Sequence, residues 1–133
     1  MGKDAKPPEC RKVLLVDDEQ DILYAYGAAL RHAGFEVQTA ESGNKALGLM
    51  KQGLPQVLIL DLMMGDGSGF EVLLKLQQLE GPKPAVIVVT GVYTDEETSR
   101  RIRGEPVVFE LLIKPVRPKM LVETVRRAMG IAL

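Results

Sequence analysis

The sequence predicts a three-layer, doubly wound α/β domain, a five-stranded parallel sheet with helices on both faces. Three observations carry this. Short apolar runs recur at 13–16, 57–60 and 85–89, continuous rather than alternating, as strands covered on both faces require. Segments of helical period stand between them. Strand and helix alternate five times, the order that builds a parallel sheet from crossover units.

The elements follow in sequence. The first strand is 13–16. Ile22, Tyr26, Ala29, Leu30 and Ala33 then form a helical stripe, with Gly34 as its stop. Residues 35–40 alternate apolar and polar. Ser42 is placed to cap a second helix bearing Ala46, Leu47 and Met50 and closing near Gly53. The third strand, 57–60, runs into Asp61. Phe70, Leu73, Leu74 and Gln77 mark one face of a third helix, which Gly81 and Pro82 end. The fourth strand is 85–89. The fourth helix, about 94–103, has Ile102 as its one large apolar anchor. Pairs Glu96–Arg100 and Glu97–Arg101 add only ~0.2–0.5 kcal/mol each, so this helix is expected to be the loosest. The fifth strand, 107–113, is apolar apart from Glu110. Pro118 opens the last helix, which buries Leu121, Val125 and Met129.

The 133 residues suit one domain, and 46% hydrophobic content is enough for a core. Residues 1–10, with Pro7 and Pro8, read as a flexible leader, and 11–131 as the folded domain with no output domain attached. Lys plus Arg (17) nearly balance Asp plus Glu (18), which argues against a dedicated nucleic-acid module. Arg100, Arg101, Arg103, Arg126 and Arg127 have no interleaved aromatics, so they read as a solvated or protein-facing surface. Cys10 is the single cysteine. It excludes an internal disulfide or a cysteine zinc site and fits a reducing, cytoplasmic setting. His32, with no second histidine, reads as a helix-end residue. No apolar run approaches the ~20 residues that span a bilayer. The first residues contain no secretory signal, and Lys6 stands where myristoylation wants Ser or Thr.

Function is legible where strands end. VLLVDDE presents Asp17, Asp18 and Glu19. LILD presents Asp61, VIVVTG presents Thr90 and LLIKP presents Lys114. In a parallel sheet these ends share one edge, where such folds bind ligands. Singly, each has a plain structural explanation: an aspartate after a strand is commonly a turn former or helix cap. Together they make a pocket of mutually repelling carboxylates, a conflict that a hard divalent cation, Mg²⁺ or Mn²⁺, resolves. Thr90 and Lys114 are then available to hold phosphoryl oxygens, and phosphoryl transfer needs mainly positioning and charge neutralisation.

From Arg11 to Met129 the sequence resembles the receiver domains of two-component response regulators. The matching pieces are VLLVDDE, LILDLMM with GSGFEVL, VIVVT and IKPV. The resemblance implies a flavodoxin-like receiver fold. It makes Asp61 the acceptor of a phosphoryl group from a histidine kinase or histidine phosphotransfer protein. Asp18 would bind Mg²⁺ directly, Asp17 largely through water, and the Met63 main-chain carbonyl would add a ligand. Thr90 and Lys114 would hold phosphoryl oxygens, and the Lys114–Pro115 peptide would be cis. A downstream protein would dock on the face of the fourth helix, fifth strand and fifth helix. No direct nucleic-acid or membrane partner is implied, and a homodimer is left open.

The chain departs from the family pattern in places. Gly65 stands where Pro is frequent, and Gly91 follows Thr90 where a residue such as Ala is usual. The aromatic switch position holds Leu111, with Phe109 two residues earlier on the same face. Met63 and Val92 occupy positions that influence water attack, and neither orients a water, which predicts slow dephosphorylation. The main alternative is a receiver-like module that binds a partner without phosphorylation. Leu111 favours it, whereas the intact Asp17, Asp18, Asp61, Thr90 and Lys114 oppose it. An aspartate-nucleophile phosphatase would want an acid at Met63. A dinucleotide binder would want GxGxxG, but Gly65, Gly67 and Gly69 are followed by Phe70.

Overall fold

The structure, a computed structural model, describes residues 11–91 and 95–131. The proposed leader, Cys10 and Val92 lie outside the described residues, as does Thr94 at the expected start of the fourth helix. Element order is β1 (Lys12–Val16), α1 (Gln20–His32), β2 (Glu36–Ala40), α2 (Gly43–Gln52), β3 (Val57–Asp61), α3 (Ser68–Gln77), β4 (Ala85–Thr90), α4 (Glu96–Arg103), β5 (Val108–Ile113) and α5 (Pro118–Met129). All four strand pairings are parallel and the order is β2-β1-β3-β4-β5. Strand order reverses between β1 and β3. In folds of this kind ligands bind beyond the strands' carboxyl ends near such a reversal.

Alternation within the central strands sorts the core into two layers. Leu14, Val16, Leu58, Leu60, Val86 and Val88 point to one side and meet Ala46, Met50, Val72, Leu76 and Ile102 from α2, α3 and α4. Val13, Leu15, Val57, Ile59, Ile87 and Val89 point to the other and meet Leu23, Tyr26, Leu30, Leu121 and Val125 from α1 and α5. Each such fully buried aliphatic side chain contributes about 1.5–3 kcal/mol.

Local chemistry fixes the helix starts. The Ser42 hydroxyl accepts from Lys45 N at 3.1 Å, and Asp95 Oδ1 accepts from Thr98 N at 2.7 Å. Pro118 occupies the first turn of α5. Gly67 at φ 73° turns the chain into α3, a backbone region that favours glycine.

Two helix faces differ from expectation. In α3 the buried residues are Ser68, Gly69, Val72, Leu73 and Leu76, while Phe70 and Leu74 are exposed. The stripe drawn through Phe70 and Leu74 followed the largest apolar residues. The helix instead docks through Val72, Leu73 and Leu76, with its first turn brought close at Gly69, where a Cβ would stand 2.6 Å from the Asp61 carbonyl oxygen and 2.8 Å from Leu62 Cα. In α1, Leu23 and Gly27 join Tyr26 and Leu30 in the buried set, and Ile22 and Ala33 flank it. His32 is exposed on the last turn of α1.

Gly69→Ala sets a side chain against backbone that has no room to yield, and α3 must lift from the end of β3. Overpacking of this kind costs ~1–3 kcal/mol, to be read as a lower urea midpoint with an unchanged slope. A midpoint equal to that of wild type contradicts this packing.

Candidate functional site

The site is built at the carboxyl edge of β1, β3, β4 and β5. Asp17 follows β1, Asp61 ends β3, Thr90 ends β4, and all three are at most 4% exposed. Asp18 is exposed beside them. Lys114 follows β5, and its backbone N–H donates to the Thr90 carbonyl at 2.7 Å. The Lys114–Pro115 peptide is cis. Beyond it, the buried Tyr26 hydroxyl donates to the Val116 carbonyl at 2.8 Å and ties α1 to this loop.

Lys114 Nζ lies 2.8 Å from Asp17 Oδ2, 3.3 Å from Asp61 Oδ2 and 3.5 Å from Glu19 Oε1. One ammonium therefore serves two buried carboxylates and one exposed one. Main-chain donors take the other oxygens: Glu19 N donates to Asp17 Oδ1 and Met63 N to Asp61 Oδ1, both at 2.9 Å, and Gly65 N donates to Asp18 Oδ2 at 3.0 Å. Around the rim, Ser68 Oγ accepts from Gly43 N at 2.8 Å and donates to Asp66 Oδ1 at 2.7 Å. This bridge between α2 and α3 was not foreseen. Its sequence signal is the Asp-Gly-Ser turn at 66–68, which offers side-chain acceptors to nearby amides.

Burial has the largest effect on Asp61 and raises its pKa. The Met63 N–H opposes this, the Asp17 charge adds to it, and Lys114 opposes it, leaving the pKa above the ordinary carboxylate value. For Lys114, burial lowers the pKa. The hydrogen bond to Asp17 and the charges of Asp61 and Asp17 outweigh it, holding the pKa above its ordinary value. Lys114 thus stays a cation at neutral pH.

Asp17, Asp18 and Asp61 each offer a carboxylate oxygen, and these oxygens lie within 4.8 Å of one another. Three hard oxygen donors at that spacing, one of them open to solvent, fit Mg²⁺, which takes few protein ligands and keeps water. A cleft of about 280 Å³ adjoins the site, formed by Leu62, Met63, Phe70, Thr90, Thr98 and neighbouring residues. Two larger clefts, of about 680 and 670 Å³, have linings that include none of the clustered acids.

The structure gathers Asp17, Asp18, Asp61, Thr90 and Lys114. Leu111 is buried opposite Val88, in the same core layer as Ile102 of α4. Phe109 does not share its face. The register passes from Val86↔Val108 to Ile87↔Glu110, so a bulge at Phe109 breaks the alternation the sequence suggested. The Phe109 ring lies instead against the Arg127 guanidinium of α5, 5.9 Å from its centroid. The expected Glu97–Arg101 pair forms at 3.5 Å, fully in solvent, where it adds little.

Comparison with known proteins is consistent with this geometry. Residues 13–126 match the family model described as the response regulator receiver domain. A probable transcriptional regulator, ycf27 of Guillardia theta, is 31% identical over 115 residues, covering 86% of this chain and 44% of its own length. Protein PilH of Pseudomonas aeruginosa is 27% identical over 119 residues, covering 90% of this chain and 98% of its own. The chain thus spans less than half of the first and nearly all of the second. Among solved structures, a receiver domain protein (CheY-like) from Methanospirillum hungatei JF-1 superimposes with a TM-score of 0.80 at 28% identity, covering 90% of this chain and 94% of that one.

The folded-state pKa of Asp61 lies above its unfolded value, so ionisation costs stability as pH rises through that raised pKa. The cost is absent well below the unfolded value. In metal-free buffer, Asp61→Asn should therefore show a higher urea midpoint than wild type at neutral pH. The advantage should vanish toward about pH 3. A midpoint at neutral pH no higher than that of wild type contradicts the assignment.

Proposed function

This chain belongs to the response regulator receiver domains of two-component signalling, and from that premise we propose that Asp61 is its phosphoacceptor. The observation that carries the reading is the convergence of Asp17, Asp61 and Lys114 from separate strand ends, with Lys114 Nζ within 3.3 Å of both acids.

The donor is a phosphorylated histidine of a kinase or phosphotransfer protein. An Asp61 carboxylate oxygen attacks phosphorus in line. The P–O bond forms as the P–N bond breaks, and the leaving imidazole recovers a proton. The Met63 N–H holds the other Asp61 oxygen and fixes the angle of attack. Lys114, already protonated, turns from Asp17 and Asp61 toward a phosphoryl oxygen, and the Thr90 hydroxyl takes another. Asp18, Asp61 and the Met63 carbonyl, with Asp17 largely through water, would hold Mg²⁺ (or Mn²⁺), which would neutralise charge on the phosphoryl oxygens. The chain is not an enzyme on an external substrate; it assists only its own phosphorylation and dephosphorylation. It works in the cytoplasm, where its phosphodonor is.

The output surface is α4, β5 and α5. Leu111 and Ile102 are the inward links between β5 and α4, and a second copy or another protein docks outside them. A module that binds its partner without phosphorylation is the poorer reading, because it gives the three clustered acids and the half-buried lysine no task.

Acetyl phosphate with Mg²⁺ should add the mass of one phosphoryl group to the intact chain. The adduct should be absent in EDTA and in Asp61→Ala. Undiminished labelling of Asp61→Ala would overturn the assignment. The phosphoryl group should also be long-lived, since Met63 cannot orient water. Met63→Asn should shorten its lifetime by roughly tenfold or less, below the ~10²–10⁴ of a full general base, because an amide positions water without taking its proton. An unchanged rate of phosphate loss would contradict this role for Met63.

A further inference from the structure

We propose that the backbone N–H of Gly65 is a positioning group for Asp18, holding that carboxylate ready for a divalent cation. This rests on the reading of the acid cluster as a metal site. Each clustered acid has one oxygen occupied by a main-chain donor, but the three bonds differ in kind. Those to Asp17 and Asp61 come from amides two residues along the chain, and both acids are also buried and held by Lys114. Asp18 is exposed, so packing does not fix its rotamer. Its bond from Gly65 N, 3.0 Å long, joins residues 47 apart and fastens the β3–α3 loop to the β1–α1 loop at the mouth of the site. One oxygen is thereby committed to the amide and the other is left for the cation, so the entropy of ordering the side chain is not charged to metal binding.

Glycine is not needed here for its conformational range. Gly65 is absent from the glycines of positive φ, and an added Cβ would meet only Asp18 Oδ2, at an ordinary 3.8 Å. What the position supplies is an N–H. Alanine keeps it and proline lacks it.

The test is Mg²⁺ titration by calorimetry of the full chain, with the metal-free melting temperature recorded for each variant. Gly65→Ala should bind within about twofold of wild type, and Gly65→Pro roughly three- to tenfold more weakly, the size of one side chain's ordering. Equal affinity in Gly65→Pro overturns the proposal, as does an equal loss in Gly65→Ala. If Gly65→Pro does not fold, amide exchange decides. In the metal-free protein the Gly65 amide should exchange slowly in wild type and fast in Asp18→Ala, and fast exchange in both overturns the proposal. Acetyl phosphate labelling keeps the two readings apart. A labelled Asp61 with unchanged Mg²⁺ affinity in Gly65→Pro removes the Gly65 role alone. An unlabelled Asp61 with Gly65-dependent Mg²⁺ binding removes the phosphoacceptor reading alone. No Mg²⁺ binding by wild type overturns both the Gly65 role and the metal site.

Discussion

One ammonium shared between two buried carboxylates organises the working edge of this molecule. Asp17 and Asp61 sit on neighbouring strands, where burial and mutual repulsion both oppose their charge. Lys114, arriving from β5 across the width of β4, offsets part of their charge at 2.8 and 3.3 Å. A buried ion group of this kind contributes little net stability, because desolvation offsets the attraction. Its value is that the arrangement can be exchanged. Under the proposed function, a divalent cation and a phosphoryl group together would offer the acids a fuller counter-charge and the lysine a new partner.

The rest of the fold serves that edge. Strand order reverses beside β1, so Asp17 and Asp61 end up side by side at that edge. The hydrogen bond from Tyr26 to Val116 pins the loop carrying Lys114, and the close approach of Gly69 to the Asp61 carbonyl seats α3 against the end of β3. Toward α4 the fixing thins out. Ile102 is the single buried residue of α4, so Leu111 and Ile102 form a narrow apolar link between the site's strands and a polar helix. Under the proposed function, a small displacement at Thr90 would have little core to work against there.

Much of this was legible in the sequence because it depends on where strands stop. A continuous apolar run followed by Asp, Thr or Lys places that side chain at the sheet edge, and parallel order brings Asp17, Asp61, Thr90 and Lys114 together. What was not legible depended on backbone geometry. Phe70 and Leu74 looked like the core face of α3, but close approach through Ser68 and Gly69 turned the helix about its axis. Phe109 alternates with Leu111 on paper, yet one bulged residue moves its ring toward Arg127. The bond from Gly65 to Asp18 involves a main-chain donor, which no residue pattern announces.

The central claim is that the three clustered aspartates are a cation site whose charge Lys114 offsets only in part. An anomalous difference map from crystals grown in Mn²⁺ tests it most directly. The account predicts a peak bonded to Asp18 and Asp61, with Lys114 Nζ still beside Asp17. A well-ordered site with no peak there, or manganese bound only elsewhere on the chain, would contradict it.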